Sequence, residues 1–416
     1  MSPNSAARFA ILAACLANDA LALAKKFDFG SPETKSGFTA VTPADVFTPE
    51  KGYGFDLGFT PLAEDRGGDS VKGDFVTGEG GFYFSVVVPQ GNYDVTVVLG
   101  DPGGESETTV KAESRRLMLE NVATADKEQV SRKFTVNVRQ AEYPGGRVGL
   151  KDREKTYLHW DNKLTVEFNG PRPCVAAIEI VPAPTATTVW LLGDSTVTDQ
   201  PFEPWNSWGQ MFPRFFKPGV AIANQAESGE SLASSLSARR VAKVEAEMKK
   251  GDYVFIQFGH NDMKSKAPDA LEKYEENLGK LVKSIQGKGA TAVLVTSMER
   301  KGGVEKDTLT GYPDAVKRVA EKERAPLVDL HAMSRHLYLG LGKDLDAAFQ
   351  DGTHHNTYGS YQLAKCVVEG IRILKLPLAA MLMDDVKPFD PSKPDPVAGF
   401  KYAASPVKDL AKPDGN

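Results

Sequence analysis

The sequence predicts two kinds of structure in one chain: an all-β sandwich, then an α/β domain built on a parallel, doubly wound sheet. Two observations carry this. Up to about residue 183, short β-rich runs recur between turn residues (Gly, Pro, Asn, Asp), a pattern typical of sandwiches. From Thr188 onward, apolar strands alternate with helical patterns, which implies parallel strands joined by crossover helices. A length of 416 residues leaves room for two or three domains. The expected division is a leader over 1–24, the sandwich over 25–184, the α/β domain over 185–385 and an irregular tail over 386–416.

At the N-terminus, Arg8 precedes an apolar stretch over 9–17, and Ala22-Leu23-Ala24 offers a small-residue cleavage site. This reads as an export signal although Asn18 and Asp19 interrupt it, so the mature protein is expected in the periplasm or outside the cell. Cys15 would leave with the signal. Cys174 and Cys366 have neither disulfide-framework nor zinc spacing and are expected as buried free thiols. Strands are expected at 81–88, 93–99, 132–138, 163–168 and 176–181, with no long amphipathic helix among them. The segment 181–188, with Pro182 and Pro184 among small residues, reads as a linker.

In the α/β domain the expected strands are 189–192, 220–224, 253–258, 292–296 and 327–330. The expected helices are 232–250, 269–288 with Asp269 as N-cap, 313–322 and 359–374. Hydrophobic residues make up 41% and charged residues 25%, with a net charge of −5, ordinary for a soluble globular protein. Such a chain lacks the clustered Lys and Arg of nucleic-acid binders, so no nucleic acid is expected as a partner. Beyond the leader no segment approaches the ~20 apolar residues of a membrane span.

Ligands of an open parallel sheet gather at the carboxyl ends of its strands. Four polar clusters follow strands here: Gly193-Asp194-Ser195-Thr196, Asn224-Gln225-Ala226-Glu227-Ser228-Gly229, Gly259-His260-Asn261-Asp262, and Asp351-Gly352-Thr353-His354 one loop after the last. Taken alone, Ser195 is explained by an N-cap. As a nucleophile it needs a base, and His354 can supply one. Asp351 lies three residues earlier, close enough on one helical turn to share a face with His354 and fix its tautomer. Adjacent His355 is a rival base. Acyl transfer also needs donors aimed at the developing oxyanion, and the candidates are the Ser195 N–H, the Gly229 N–H and the Asn261 amide. Asp262 fits a helix cap. Trp205 lies on a loop where it could meet a sugar, Trp208 fits core packing, and His159 with Trp160 marks either a sugar site or ordinary packing.

The four blocks, in this order and context, resemble the signature of the SGNH, or GDSL-type, hydrolases over roughly residues 188–375. The resemblance implies a flavodoxin-like three-layer fold with strand order 2-1-3-4-5. It also implies catalysis by Ser195, Asp351 and His354, with no metal or cofactor. Within that family, Gly193-Asp194-Ser195-Thr196-Val197, Gly259-His260-Asn261-Asp262 and Asp351-Gly352-Thr353-His354-His355-Asn356 look most like the rhamnogalacturonan acetylesterases. That likeness implies removal of O-acetyl groups from an acetylated plant cell-wall polysaccharide or oligosaccharide. The alternatives are an acetyl-xylan or other acyl-ester hydrolase, and a non-catalytic carbohydrate-binding protein that works through its sandwich. Openings such as Phe27-Asp28-Phe29-Gly30 and Gly52-Tyr53-Gly54-Phe55 make the sandwich similar to a galactose-binding-like domain. One departure falls after the oxyanion glycine, where fungal members commonly carry Arg and this chain has Glu230. Trp205, Glu230 and His355 are the expected substrate contacts.

Overall fold

Alternation of apolar and polar residues builds the first domain. In the strand Gly91–Leu99, Tyr93, Val95, Val97 and Leu99 face inward while the residues between them do not. The computed structural model describes residues 24–414 apart from 36, 69, 70 and 310, so the expected leader with Cys15 lies outside the described residues, Ala24 excepted. Two sheets face each other. One runs in the order Val130–Val138, Gly91–Leu99, Cys174–Pro182, Lys25–Phe29, Thr39–Val41, with Asp74–Thr77 also paired to Cys174–Pro182 and Leu62–Asp65 to Asp74–Thr77. The other runs Tyr53–Asp56, Phe82–Val87, Lys163–Arg172, Ser106–Ala112, Arg116–Thr124. Between them Phe27, Phe29, Phe55, Phe82 and Phe84 pack mostly edge to face, with Phe29 and Phe84 centroids 4.8 Å apart at 77°.

All five expected strands of this region form. Most of the unexpected ones are short or polar, such as Ser106–Ala112, and take their pairing from neighbours rather than from an apolar pattern; Arg116–Thr124, nine residues long, is the exception.

The second domain centres on five parallel strands in the order Val220–Asn224, Thr187–Gly193, Tyr253–Gln257, Thr291–Val295, Leu327–Val328. This is the order 2-1-3-4-5. The middle strands are buried almost throughout because helices cover both faces. Arg240–Glu247, Ala270–Gly287 and Tyr312–Glu323 cover one face. Trp208–Met211, Leu330–Leu341 and Thr357–Ile373 cover the other.

Two elements depart from expectation. The helix expected over 232–250 is two, Leu232–Ser237 and Arg240–Glu247, because Arg239 adopts a left-handed φ of 63°. The last strand stops at Val328, since the Asp329 carboxylate accepts the Ala332 N–H and starts the unanticipated helix Leu330–Leu341.

The domains meet across a polar seam. The hairpin joining Ser106–Ala112 to Arg116–Thr124 enters it, and Leu117 packs within the core of the α/β domain. Buried Arg116 donates to the Ile222 carbonyl at 3.0 Å and pairs with Asp199 at 3.2 Å, which Arg139 also meets at 3.3 Å. Arg115 pairs with Glu203 at 2.6 Å and donates to the carbonyls of Gln200 and Trp205. Arg240 Nη2 donates to both Glu154 carboxylate oxygens at 2.7 and 2.8 Å, both side chains at 0% exposure.

The tail is irregular but packed. Phe389 is buried, and Lys111 from the sandwich donates to the Ala403 carbonyl at 2.6 Å. Cys174 and Cys366 are free and buried. Among the described residues no helix is long and apolar enough to cross a membrane.

Candidate active site

The first parallel strand ends at Gly193, where a Cβ would fall 2.6 Å from Val197 and 2.8 Å from the Gln257 carbonyl, so only glycine fits. Asp194 turns inward. Its carboxylate accepts the Thr196 N–H and hydroxyl at 2.9 and 2.7 Å and faces His260 Nδ1 at 3.2 Å, while His260 Nε2 meets the Met298 carbonyl at 2.9 Å. Burial opposes its charge, but His260 and the Thr196 donors overcome this and hold the carboxyl below its ordinary range. Asp194 thus ties the loop bearing Ser195 to those after the third and fourth strands.

Ser195 Oγ lies 2.8 Å from His354 Nε2, and His354 Nδ1 lies 3.0 Å from Asp351 Oδ2. The second Asp351 oxygen accepts the backbone N–H groups of Thr353 and His354, both at 2.7 Å. Asp351 and His354 therefore share a bend closed by the carboxylate rather than the helical turn expected from their spacing. The next helix begins only at Thr357, capped by Asn356. Burial opposes ionisation of Asp351, and the His354 ring and these two N–H donors overcome it, holding the carboxyl well below the usual range. With Nδ1–H donated to a carboxylate, the Nε2 lone pair faces the serine hydroxyl.

The oxyanion candidates sit on neighbouring loops. Gly229 occupies the turn Glu227–Glu230, closed by the Glu230 N–H to the Glu227 carbonyl at 3.2 Å, with a φ of 79°. Asn261 donates one amide hydrogen to the Glu230 carbonyl at 3.0 Å. Its second hydrogen is a further donor. Asp262 caps not its own segment but the helix starting at Leu232, whose N–H it accepts at 2.9 Å, and burial pushes its carboxyl up to about 7.

The expected substrate contacts need correction. Trp205 is buried, packs edge-on against the His354 ring at 5.7 Å and 85°, and donates its indole N–H to the Asp409 carbonyl. It braces the imidazole and offers no open face for a sugar. Glu230 is buried, hydrogen-bonded by Ser234 and paired with Lys151 at 3.3 Å. His355 is buried against Phe349, with Nε2 2.9 Å from the Tyr338 hydroxyl, which itself donates to the Glu299 carbonyl. Burial lowers its pKa to about 3, so it stays neutral and packed. Trp208 is core, as expected, with its N–H on Gln257. His159 and Trp160 lie in the seam: His159 Nδ1 is 2.7 Å from the Ser114 hydroxyl, and Trp160 donates to Glu154 under the Arg139 guanidinium.

Three residues at the site carry no sequence signal of their role. Gln200 donates to the Ser195 carbonyl at 2.7 Å and to the Ser228 hydroxyl at 3.3 Å. Lys151 and Arg153 reach the Ser228 carbonyl from the sandwich, yet stand in a charged run, Lys151-Asp152-Arg153-Glu154-Lys155, that reads as solvated.

Among the described residues one trio has metal-ligand chemistry: Glu299, Asp307 and His331, with ligand atoms within 4.8 Å of one another. Glu299 already accepts the Arg300 and Thr308 N–H groups, the Thr308 hydroxyl and His331. The trio is accounted for as a hydrogen-bonded ion pair.

Residues 191–361 match the model of the GDSL-like lipase/acylhydrolase family. Rhamnogalacturonan acetylesterase RhgT of Bacillus subtilis (strain 168) is 36% identical over 212 residues, spanning 46% of this chain and 91% of that protein. The chain belongs to the GDSL-like lipase/acylhydrolase family. This GDSL-like protein is a carboxylic ester hydrolase. Its residues 25–139 match a second model, described as beta-agarase/YXIM esterase-like, galactose-binding domain-like. The uncharacterized esterase YxiM of the same bacterium is 24% identical to the GDSL-like chain over 366 residues, 83% of this chain and 90% of that one. The solved structure of the YxiM protein covers 85% of this chain and 99% of its own, at 23% identity and a TM-score of 0.46.

Proposed function

We propose that this hydrolase removes O-acetyl groups from a plant cell-wall polysaccharide, rhamnogalacturonan first among them, with Ser195 as nucleophile, His354 as base and Asp351 as its orienting carboxylate. The observation that carries the chemistry is the unbroken relay from Ser195 Oγ through both His354 nitrogens to Asp351, at 2.8 and 3.0 Å. The choice of substrate is supported by the relatives: RhgT is named a rhamnogalacturonan acetylesterase, and so is a fungal protein 26% identical over 229 residues.

In the proposed reaction Nε2 takes the Ser195 proton as Oγ attacks the acetyl carbonyl. Asp351 keeps the ring in the accepting tautomer and stabilises the imidazolium. The tetrahedral oxyanion accepts hydrogen bonds from the Ser195 N–H, the Gly229 N–H and the second Asn261 amide hydrogen. His354 then protonates the departing sugar oxygen, and water repeats the sequence on the acetyl-enzyme.

Ser195→Ala with intact folding is expected to lower acetate release by about 10⁴-fold or more. A wild-type rate in that variant would overturn the assignment of Ser195. Acetate release from acetylated rhamnogalacturonan is expected to outpace release from acetyl-xylan, and the reverse order would overturn the substrate.

A further inference from the structure

The turn Glu227–Glu230 poses a conformational question. A trans peptide points its C=O and N–H in opposite directions, so the Gly229 N–H aims wherever the Ser228 carbonyl does not. Glycine at the third position of a turn tolerates either orientation of the central peptide at little cost. The observed φ of 79° is one of two accessible states, and in the other the Gly229 N–H points to the opposite side of the turn.

Two cations act on that carbonyl. Lys151 Nζ donates to it at 2.5 Å and Arg153 Nη2 at 2.9 Å. Both come from the sandwich domain. Each is also held by a carboxylate flanking the same peptide, Lys151 by Glu230 at 3.3 Å and Arg153 by Glu227 at 2.5 Å. Their own segment is anchored: Glu154 accepts the Lys151 N–H at 2.8 Å and pairs with buried Arg240 of the α/β domain. Charge-assisted hydrogen bonds to a carbonyl are about twice as strong as neutral ones, so this arrangement outweighs glycine's indifference.

We propose that Lys151 and Arg153 are positioning residues which lock the Ser228–Gly229 peptide with its N–H toward the oxyanion, so that the sandwich domain completes the esterase site. The inference rests on the reading of Gly229 as an oxyanion donor. It gives Glu230 its place: this acidic residue seats the lysine of the neighbouring domain instead of contacting the polymer.

The test is Lys151→Met, Arg153→Met and the double variant, assayed on p-nitrophenyl acetate, a probe too small to need a polymer site. Loss of one oxyanion donor costs about 10²–10³ in rate, so partial misorientation should lower kcat about tenfold in each single variant and about 10²-fold in the double. KM should stay within about twofold, since the ground-state ester gains little from the hole. Lys151→Arg should recover most of the rate. Inhibition by an alkylboronic acid, whose tetrahedral Ser195 adduct places an oxygen in the hole, should weaken by the same factor as kcat/KM.

A folded double variant with wild-type kcat and boronate affinity would overturn the inference, as would a change in KM alone. If the double variant does not fold, Lys151→Met decides by the same two readouts. An inactive Ser195→Ala beside a fully active double variant removes this inference and leaves the proposed function standing; an active Ser195→Ala removes both.

Discussion

The space between the two sandwich sheets and the seam between the sandwich and the parallel sheet are both buried, by opposite means. The first is filled with Phe27, Phe29, Phe55, Phe82, Phe84 and aliphatic side chains. Such packing is dense but undirected, and any well-filled arrangement of similar volume serves. The seam is filled with Arg115, Arg116, Arg139, Arg240, Glu113, Glu154, Asp199 and Glu203, nearly all without exposure. Buried pairs of this kind add little net stability, because desolvation offsets attraction, but they tolerate only one geometry. The aromatic core holds the sandwich together. The seam fixes the loop 199–205 and the turn Glu227–Glu230, which flank Ser195 and His354.

Glu154 is where a change to the seam should cost most. Glu154→Ala leaves Arg240 buried without its partner, and such losses cost about 3–5 kcal/mol. Glu154 also anchors the segment bearing Lys151, so kcat per folded molecule should fall as well, by about tenfold. Denaturant unfolding and titrated active-site kinetics check the two effects separately. Phe84→Ala is the matching change in the aromatic core. A cavity of that kind also costs about 3–5 kcal/mol, yet kcat per folded molecule should stay within about twofold. If Phe84→Ala lowers kcat as much as Glu154→Ala, the seam has no special hold on the site.

The same contrast explains what was legible in the sequence. The parallel strands and the aromatic-rich sandwich strands announce themselves by apolar runs and alternation, because they are buried by their own hydrophobicity. The meeting of Ser195, Asp351 and His354 was legible too: they come together where the sheet topology requires, although Asp351 and His354 share a bend and not a helix. The seam was not legible. Lys111-Ala112-Glu113-Ser114-Arg115-Arg116 reads as an exposed charged turn, but all six residues are buried. Their partners, such as Asp199 and Glu203, lie dozens of residues away, and no local spacing reports a pairing made only by the docking of two domains. Glu230 and His355 misled for the same reason, since proximity to the motif in sequence said nothing about which way their side chains face.

A pH-dependent difference in stability is expected at Glu113. Burial, reinforced by nearby Asp161, pushes its carboxyl up to about 8, and Arg116 and Arg139 only partly oppose this. In the unfolded chain the same group has its ordinary value of 4.5. Between those values the folded protein holds a proton that the unfolded chain has lost, so unfolding free energy falls as pH rises. The contribution is fully present below pH 4.5 and exhausted above about 8. Glu113→Gln cannot ionise and keeps an oxygen for the Thr165 N–H that Glu113 accepts at 3.2 Å. The variant should therefore match the wild type near pH 4.5 and gain on it steadily above, by about 1 kcal/mol between pH 6 and pH 7, because one proton is worth at most about 1.4 kcal/mol per pH unit. Urea midpoints of both proteins from pH 4.5 to 9 measure this, and groups other than Glu113 cancel in the difference. Parallel curves would mean that Glu113 is charged throughout, paired to Arg116 like the other carboxylates of the seam, and that the seam holds no neutral acid.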